Sequence, residues 1–324
     1  MIHYWGENML VKKKFLLLMF LILHSINAHA NQVWFCPINT DFIDNNNHVK
    51  EWPIASKKIK VIKFYHGLIY NTDVSILKNR FDILHDLGIK IAIELPIMID
   101  PYPDNKKYIE GFEGSNYVKK IISKLKNNNI SVDFFVMDEP LYFGAYRGEN
   151  KSLGAKVAVE SVVEKSISNI ELIKKNYPNA ELGLVEPIQL FMNDDFYNYF
   201  KLYNDEMKLR KVDIKFIQDD IVWNKFDKGV VLSLSNRLKV NNISFDVIIN
   251  SSVKANTNSQ WIDSANGNLR LIFDLIKKNQ IGVVFQSWNK YPDKIIPEWS
   301  PNSHLSQVVF FEKLMQLNSN GTQK

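Results

Sequence analysis

One phrase recurs along this chain of 324 residues. A helix-like stretch runs into a turn rich in Gly or Asn, then into a short apolar run that ends on a carboxylate. The clearest copies are residues 88–96 (GIKIAIELP), 132–140 (VDFFVMDEP) and 180–187 (AELGLVEP), which place Glu94, Glu139 and Glu186 at the ends of successive runs. Strict alternation of helix and buried strand implies a parallel sheet, because parallel neighbours need a crossover and the helix supplies it. Acidic residues have no reason to gather at one end of buried strands unless that end does chemistry. In parallel α/β folds it is the end where sites are built.

Eight strands are predicted, over 33–38, 59–65, 89–95, 132–137, 182–185, 214–217, 245–249 and 282–286. Most are near-continuous apolar runs, as befits strands covered on both faces. Helical recurrence fills the intervals at 74–86, 117–125, 154–176, 196–209, 230–238, 268–278 and 305–317. In the first of these, Ile76, Leu77, Phe81 and Leu84 fall near one face. The weakest connection, 40–58, holds a short helix around 53–57. Eight units over this length predict a closed (β/α)8 barrel, the TIM barrel, as a single domain over 31–318. An open doubly wound sheet is the alternative, but the Gly-rich phosphate loop expected after its first strand is missing. Residues 319–324 read as a frayed polar tail.

The N-terminus reads as a bacterial-type export signal over residues 1–30. Lys12, Lys13 and Lys14 precede an apolar run at 15–23 that is too short for a stable membrane span, and Ala28-His29-Ala30 offers a small-x-small cleavage site. Met9 is an alternative start. The destination is a periplasm or the medium, with no stable membrane insertion after cleavage. Cys36 is the only cysteine, so an intrachain disulfide is impossible, and its apolar surroundings mark it as a buried structural residue. The formal charge of +5 is spread singly and in pairs. That pattern gives no nucleic-acid stripe and reads as solvated helix faces with a mild preference for anionic partners.

Residues just past the strand ends converge on one mouth of such a barrel. Strand two contributes Tyr65 and His66, strand three Glu94, strand four Asp138 and Glu139, and strand five Glu186. Strand six contributes Gln218, Asp219 and Asp220 with Trp223 beyond, strand seven Asn250 and Ser251, and strand eight Gln286, Ser287 and Trp288. Carboxylates supply acid and base, aromatic faces stack on sugar rings and amides bind hydroxyls, so the set fits a carbohydrate cleft. The Asp138-Glu139-Pro140 step is the sharpest element, since adjacent carboxylates raise each other's pKa and let one stay protonated. Glu139 is assigned as the acid. Asp138, Glu186 and Asp219 are its catalytic companions. Tyr65, His66, Glu94, Tyr142, Asp220, Trp223, Asn250, Gln286 and Trp288 are candidate substrate contacts. Glu94 has an alternative as the ion-pair partner of Lys63, and His66 as a hydrogen-bonded rim residue. Asp219 and Asp220 point in opposite directions if the strand persists, so at most one faces inward. Trp34, Trp52 and Trp261 are read as structural. The segments 141–147 and 288–301, the latter with Trp299, are candidate rims. No metal spacing is visible, and no metal or cofactor is expected.

On these residues the chain resembles the glycoside hydrolases built on (β/α)8 barrels. In their large retaining clan an Asn-Glu-Pro phrase ends strand four with the acid/base Glu; here the same place reads Asp138-Glu139-Pro140. The clan's Trp at the end of strand eight is matched by Trp288. Its nucleophile Glu ends strand seven, where this chain reads Ile249-Asn250-Ser251-Ser252. The adjacent Asp-Glu pair also resembles β-hexosaminidases, in which the Asp orients the substrate's acetamido group and no enzymic nucleophile is needed. The resemblance implies an exported hydrolase of O-glycosidic bonds in an oligo- or polysaccharide. Two other readings compete: a catalytically inactive barrel that binds glycan in surface polysaccharide handling, and a lyase or deacetylase on the same scaffold. Oligomeric state is not written in the sequence.

Overall fold

The computed structural model describes residues 32–44, 49–99, 109–146, 154–191 and 195–319. The export signal expected over 1–30, Arg147 and the tail from 320 onward lie outside the described residues. Eight strands close into a barrel: β1 (Val33–Cys36), β2 (Val61–Tyr65), β3 (Lys90–Leu95), β4 (Phe134–Asp138), β5 (Glu181–Glu186), β6 (Ile214–Asp219), β7 (Ser244–Ile249) and β8 (Gly282–Gln286). Every pairing is parallel, and β1 lies between β2 and β8, so no edge is left open. Each strand expected from the apolar runs is present, and the fold is a single (β/α)8 TIM barrel.

The helices fill the crossovers: α1 (Ala55–Lys58), α2 (His66–Asn71), α3 (Val74–Asp86), α4 (Tyr117–Asn127), α5 (Val159–Asn176), α6 (Asp195–Leu209), α7 (Lys228–Val240), α8 (Asn258–Asn279) and α9 (Ser306–Ser319). In α3 the buried face is Leu77, Arg80, Phe81 and Leu84, while Ile76 is exposed. Arg80 replaces a fourth apolar residue on that face because Asp44 and Asp41 neutralise its guanidinium. Helix α8 starts ten residues before the predicted 268. Its first turns are rich in Asn, Ser, Gln and Asp, which hides the stripe formed by Trp261, Ile262 and Ala265. Thr257 caps it, its hydroxyl accepting from the Gln260 N–H at 3.2 Å. Helix α5 begins at Val159 rather than 154. No described helix is long and apolar enough to cross a membrane.

Alternate residues of each strand face the barrel axis. Toward the N-terminal ends the filling is apolar: Trp34, Val61, Ala92, Phe134, Phe216, Ile248 and Val284 form one cluster. The Trp34 ring lies 5.0 Å from Phe134 and 5.3 Å from Phe216, centroid to centroid. Strand β5 carries Gly183 beside them, since a Cβ there would meet the Phe216 ring at 2.3 Å. One pleat higher the filling turns polar. Lys63 Nζ donates to Glu94 Oε2 at 2.5 Å and, across the barrel, to Gln218 Oε1 at 2.8 Å. Cys36 sits at this level, free and buried, and burial pushes its thiol up to about 12. Trp34, Trp52 and Trp261 are all fully buried, as their structural reading requires.

Candidate active site

Glu139 follows the last residue of β4 and has φ of 42°, in the left-handed region. A non-Gly residue there costs about 1–3 kcal/mol and persists only when its surroundings over-determine it. Its N–H donates to the Val185 carbonyl at 3.1 Å, and its own carbonyl accepts from the Phe143 N–H at 3.1 Å. Pro140 then opens a short π-helical segment, Pro140–Tyr146. The inverted backbone breaks the strict alternation that would otherwise send Glu139 away from Asp138.

Glu186 is what holds that segment. Its carboxylate accepts from the Leu141 N–H at 2.7 Å and the Tyr142 N–H at 3.0 Å, so both oxygens are engaged by the backbone just beyond Glu139. It is fully buried, and burial pushes it up to about 8 against the pull of those two bonds. Val185 belongs to the barrel interior, so its neighbour Glu186 points the other way. Glu94 also departs from the simple strand-end picture. It pairs in register with Val136, faces the axis and is bound by Lys63, the alternative raised by the sequence.

Strand β6 resolves its two aspartates. Asp219 is fully buried and accepts from Gln189 Nε2 at 2.7 Å, while the same amide's oxygen accepts from the Val222 N–H at 3.0 Å. Asp220, one residue past the strand, accepts from Asn250 Nδ2 at 3.3 Å. Asp220 is the charge that acts most strongly on Glu139, followed by Asp138, Glu110 and Glu186. Burial first and then these carboxylates hold Glu139 well above the usual range for its type. Asp138 is raised likewise, by burial and then by Glu94 and Glu110, with Lys63 opposing. Burial and then Glu94 lift Asp220 to about 7. The mouth therefore holds several carboxyl groups that keep protons near neutral pH.

The remaining candidates divide between mouth and wall. The Tyr65 hydroxyl donates to the Ser287 carbonyl at 3.1 Å, tying strand two to the residue before Trp288, which is 47% exposed. Gln286 and Asn250 end the inward rows of β8 and β7, and both are buried. His66 Nδ1 is hydrogen-bonded to the Tyr117 hydroxyl at 2.7 Å, and burial lowers its pKa, which keeps it neutral. Tyr142 is packed among Phe143, Tyr146 and Phe191, and Trp223 against Phe226. Both are buried in the loop layer rather than presented as open platforms. Trp299 stands 65% exposed on the segment after β8. The neighbouring Glu298 turns inward and accepts from the N–H groups of Ile54 and Ala55 at the start of α1.

Three contributors escaped the sequence reading. Gln189 bridges two loops through a side chain no motif marks. Glu110 adds charge to Asp138, Glu139 and Asp220 from just ahead of the short strand Phe112–Glu113, which pairs with Met98–Ile99 outside the barrel. Gly111, at φ 77°, lets that loop lie on strand four, because a Cβ there would sit 2.4 Å from the Asp138 carbonyl oxygen. The Glu110-Gly111 pair is the one signal available, a Gly turn in an otherwise featureless stretch.

No protein-family model matches the sequence, and no curated protein does. Solved structures do. Xylanase 10B from Thermotoga maritima superposes with a TM-score of 0.53 at 11% identity, over 90% of this chain and 97% of that one. In fold, the chain is similar to family 10 xylanases. A psychrophilic family 10 endo-β-1,4-xylanase gives 0.50 at 12% identity over 81% and 90% of the two chains. Xylanase XynB from Paenibacillus barcinonensis gives 0.50 at 8% over 83% and 89%. At such identities the likeness is one of fold, and the roles of individual residues rest on the geometry of this barrel.

Proposed function

We propose that the protein is an exported glycoside hydrolase that cleaves O-glycosidic bonds of an oligo- or polysaccharide. The observation that carries this reading is Glu139: a buried carboxyl on a strained backbone at the end of strand four, whose pKa is raised by burial and then by Asp220. In this scheme Glu139 gives its proton to the glycosidic oxygen as the bond to the anomeric carbon breaks, and the leaving sugar departs as an alcohol. Asp220 takes the place assigned from sequence to Asp219, because Asp220 faces Glu139 while Asp219 is spent on Gln189. Asp138 orients substrate beside the acid. Glu186 becomes a positioning residue that fixes the backbone after Glu139. Tyr65, Asn250, Gln286 and Trp288 line the sugar, with His66 and Glu94 behind them. No step calls for a metal or cofactor. The family 10 xylanases share the barrel and act on xylan-type chains, which makes neutral glycans the first substrates to try.

Glu139→Gln tests the assignment. It should lower kcat by at least about a thousandfold while leaving the fold and glycan affinity intact; turnover close to wild type would refute the role. The anomeric configuration of the first product, read by NMR, then tells whether Asp220 attacks the sugar or activates water, since the former needs carboxyl groups about 5 Å apart and the latter about 6.5–9.5 Å. A second reading, a non-catalytic glycan-binding barrel, is favoured by one observation: strand seven ends on Asn250, with no carboxylate there. Glu139-dependent hydrolysis of any glycan eliminates it. Export rests on the leader at 1–30 and is checked by finding mature protein, lacking that segment, outside the cytoplasm.

A further inference from the structure

Glu139 and Asp220 both hang on the end of strand five. The Glu139 N–H donates to the Val185 carbonyl at 3.1 Å, and the Asp220 N–H donates to the next carbonyl, that of Glu186, at 2.9 Å. Glu139 is fixed further by the segment behind it, whose Leu141 and Tyr142 N–H groups are held by the Glu186 carboxylate. Asp220 is held differently. It lies one residue past β6, and the short helical turn Trp223–Lys225 begins only after Val222. Between those points the backbone is neither strand nor helix. Asn250 Nδ2 reaches its carboxylate at 3.3 Å, a long bond for this type.

Gln189 supplies a firmer hold. It belongs to the short turn Ile188–Leu190 that follows β5. Its amide spans Asp220: Nε2 donates to Asp219 Oδ2 at 2.7 Å, and Oε1 accepts from the Val222 N–H at 3.0 Å. One planar group thus grips the residue before Asp220 and the second residue after it. The clamp needs a donor at one end and an acceptor at the other, and an amide carries both in a fixed plane. The Val222 N–H can only donate, so it sets which way round the amide lies. Asp219 is fully buried, so leaving its carboxyl without this donor is costly. The same turn leads into Phe191, whose ring lies 5.7 Å from that of Tyr142 and 4.6 Å from that of Tyr146, centroid to centroid. One loop therefore bears on the segment after the acid and on both sides of Asp220.

We propose that Gln189 is a positioning residue that holds the Asp220 carboxylate where it faces Glu139. The inference rests on reading Asp220 as the partner of Glu139 in hydrolysis. The bonds of Gln189 go to Asp219 and Val222, so it works through the chain on either side of Asp220. A loop brace would lower stability when lost. A positioning residue also changes what Asp220 does to Glu139, and a displacement of about 1 Å at a reacting group can slow a reaction about a hundredfold.

The test follows the Glu139 carboxyl carbon by NMR as pH is varied, in full-length protein labelled at the Glu and Asp carboxyls. The Glu139 signal is identified by its loss in Glu139→Gln. Asp220 is the charge that most raises Glu139, so Asp220→Asn should lower the Glu139 midpoint, by about one pH unit or more. Gln189→Leu should lower it by at least half as much. In a chain already carrying Asp220→Asn, Gln189→Leu should move it no further. Gln189→Met keeps the length of the side chain without either hydrogen bond, and is run alongside in case the branched leucine disturbs the fold. A midpoint indifferent to both Gln189 variants overturns the inference. So does a shift of equal size with and without Asp220, which is the mark of a brace. If Asp220→Asn leaves the midpoint unmoved, Asp220 is not the partner and the inference falls with that assignment. Hydrolysis of xylopentaose and of N-acetylglucosamine hexamer is scored separately. Where turnover occurs, Gln189→Leu should lower kcat about a hundredfold with KM within about threefold. The expected NMR shifts without turnover sink the hydrolase reading alone, and wild-type kcat in both Gln189 variants sinks this inference alone.

Discussion

Lys63 shows how one side chain can set the character of a whole layer. It is fully buried, and the pull of burial toward the neutral amine is outweighed chiefly by the Glu94 carboxylate it binds, so it stays charged. Removing one member of a buried pair leaves the other uncompensated, at a cost of about 3–5 kcal/mol. Lys63→Met should therefore lower the unfolding free energy by that amount in urea titration. Glu94→Leu added to it should recover most of the loss, and a double variant no better than the single would show that the pair is not the unit. The sequence located these residues but not their directions. Glu186 and Asp219 end their strands, and Glu94 stands one residue before the end of its own. The period of two turns Glu94 inward and the other two outward, and only the positive φ of Glu139 brings the acid back to the mouth. No local pattern announces that inversion; the Pro after it is its sole trace.

At the scale of elements, strands were legible because burial on both faces writes them as unbroken apolar runs, closed by Gly, Asn or Pro. Short pieces were not. Helix α2 and the π-helical segment after Glu139 are six and seven residues long. They lack room for a stripe, and the second is fixed by Glu186 from another strand. The pairing of β5 with β6 carries an irregularity, Leu182 opposite Ile214 and Gly183 opposite Phe216, which brings the Phe216 ring over bare backbone. Gly183→Ala forces that ring aside. Overpacking of this kind costs about 1–3 kcal/mol, so the melting temperature should fall, and Phe216→Leu in the same chain should restore most of it. An alanine variant as stable as wild type would mean that the ring has space elsewhere.

For the whole molecule the raised carboxyls make stability a function of pH. Asp220 and Glu186 move from ordinary values of 3.8 and 4.5 to about 7 and about 8 in the folded state. The native protein then binds protons more tightly than the unfolded chain between those limits. This stabilisation is whole below about pH 4 and is lost as pH rises through about 7 and then about 8. Thermal melts across that range should show a falling melting temperature, and Glu186→Gln should flatten the upper part of the fall. A profile that rises toward pH 8 would contradict the burial of these groups.

Ring closure between the first and last strands has a consequence for biosynthesis. Val33 meets Val283, so the β1 seam stays open until almost the whole polypeptide has been made. Contacts this distant in sequence are slow to form. A ribosome that has not yet delivered β8 carries an unsealed ring with two bare edges, a form still able to be threaded lengthwise through a narrow channel. The same delay gives chaperones that grip extended segments their longest hold on this chain.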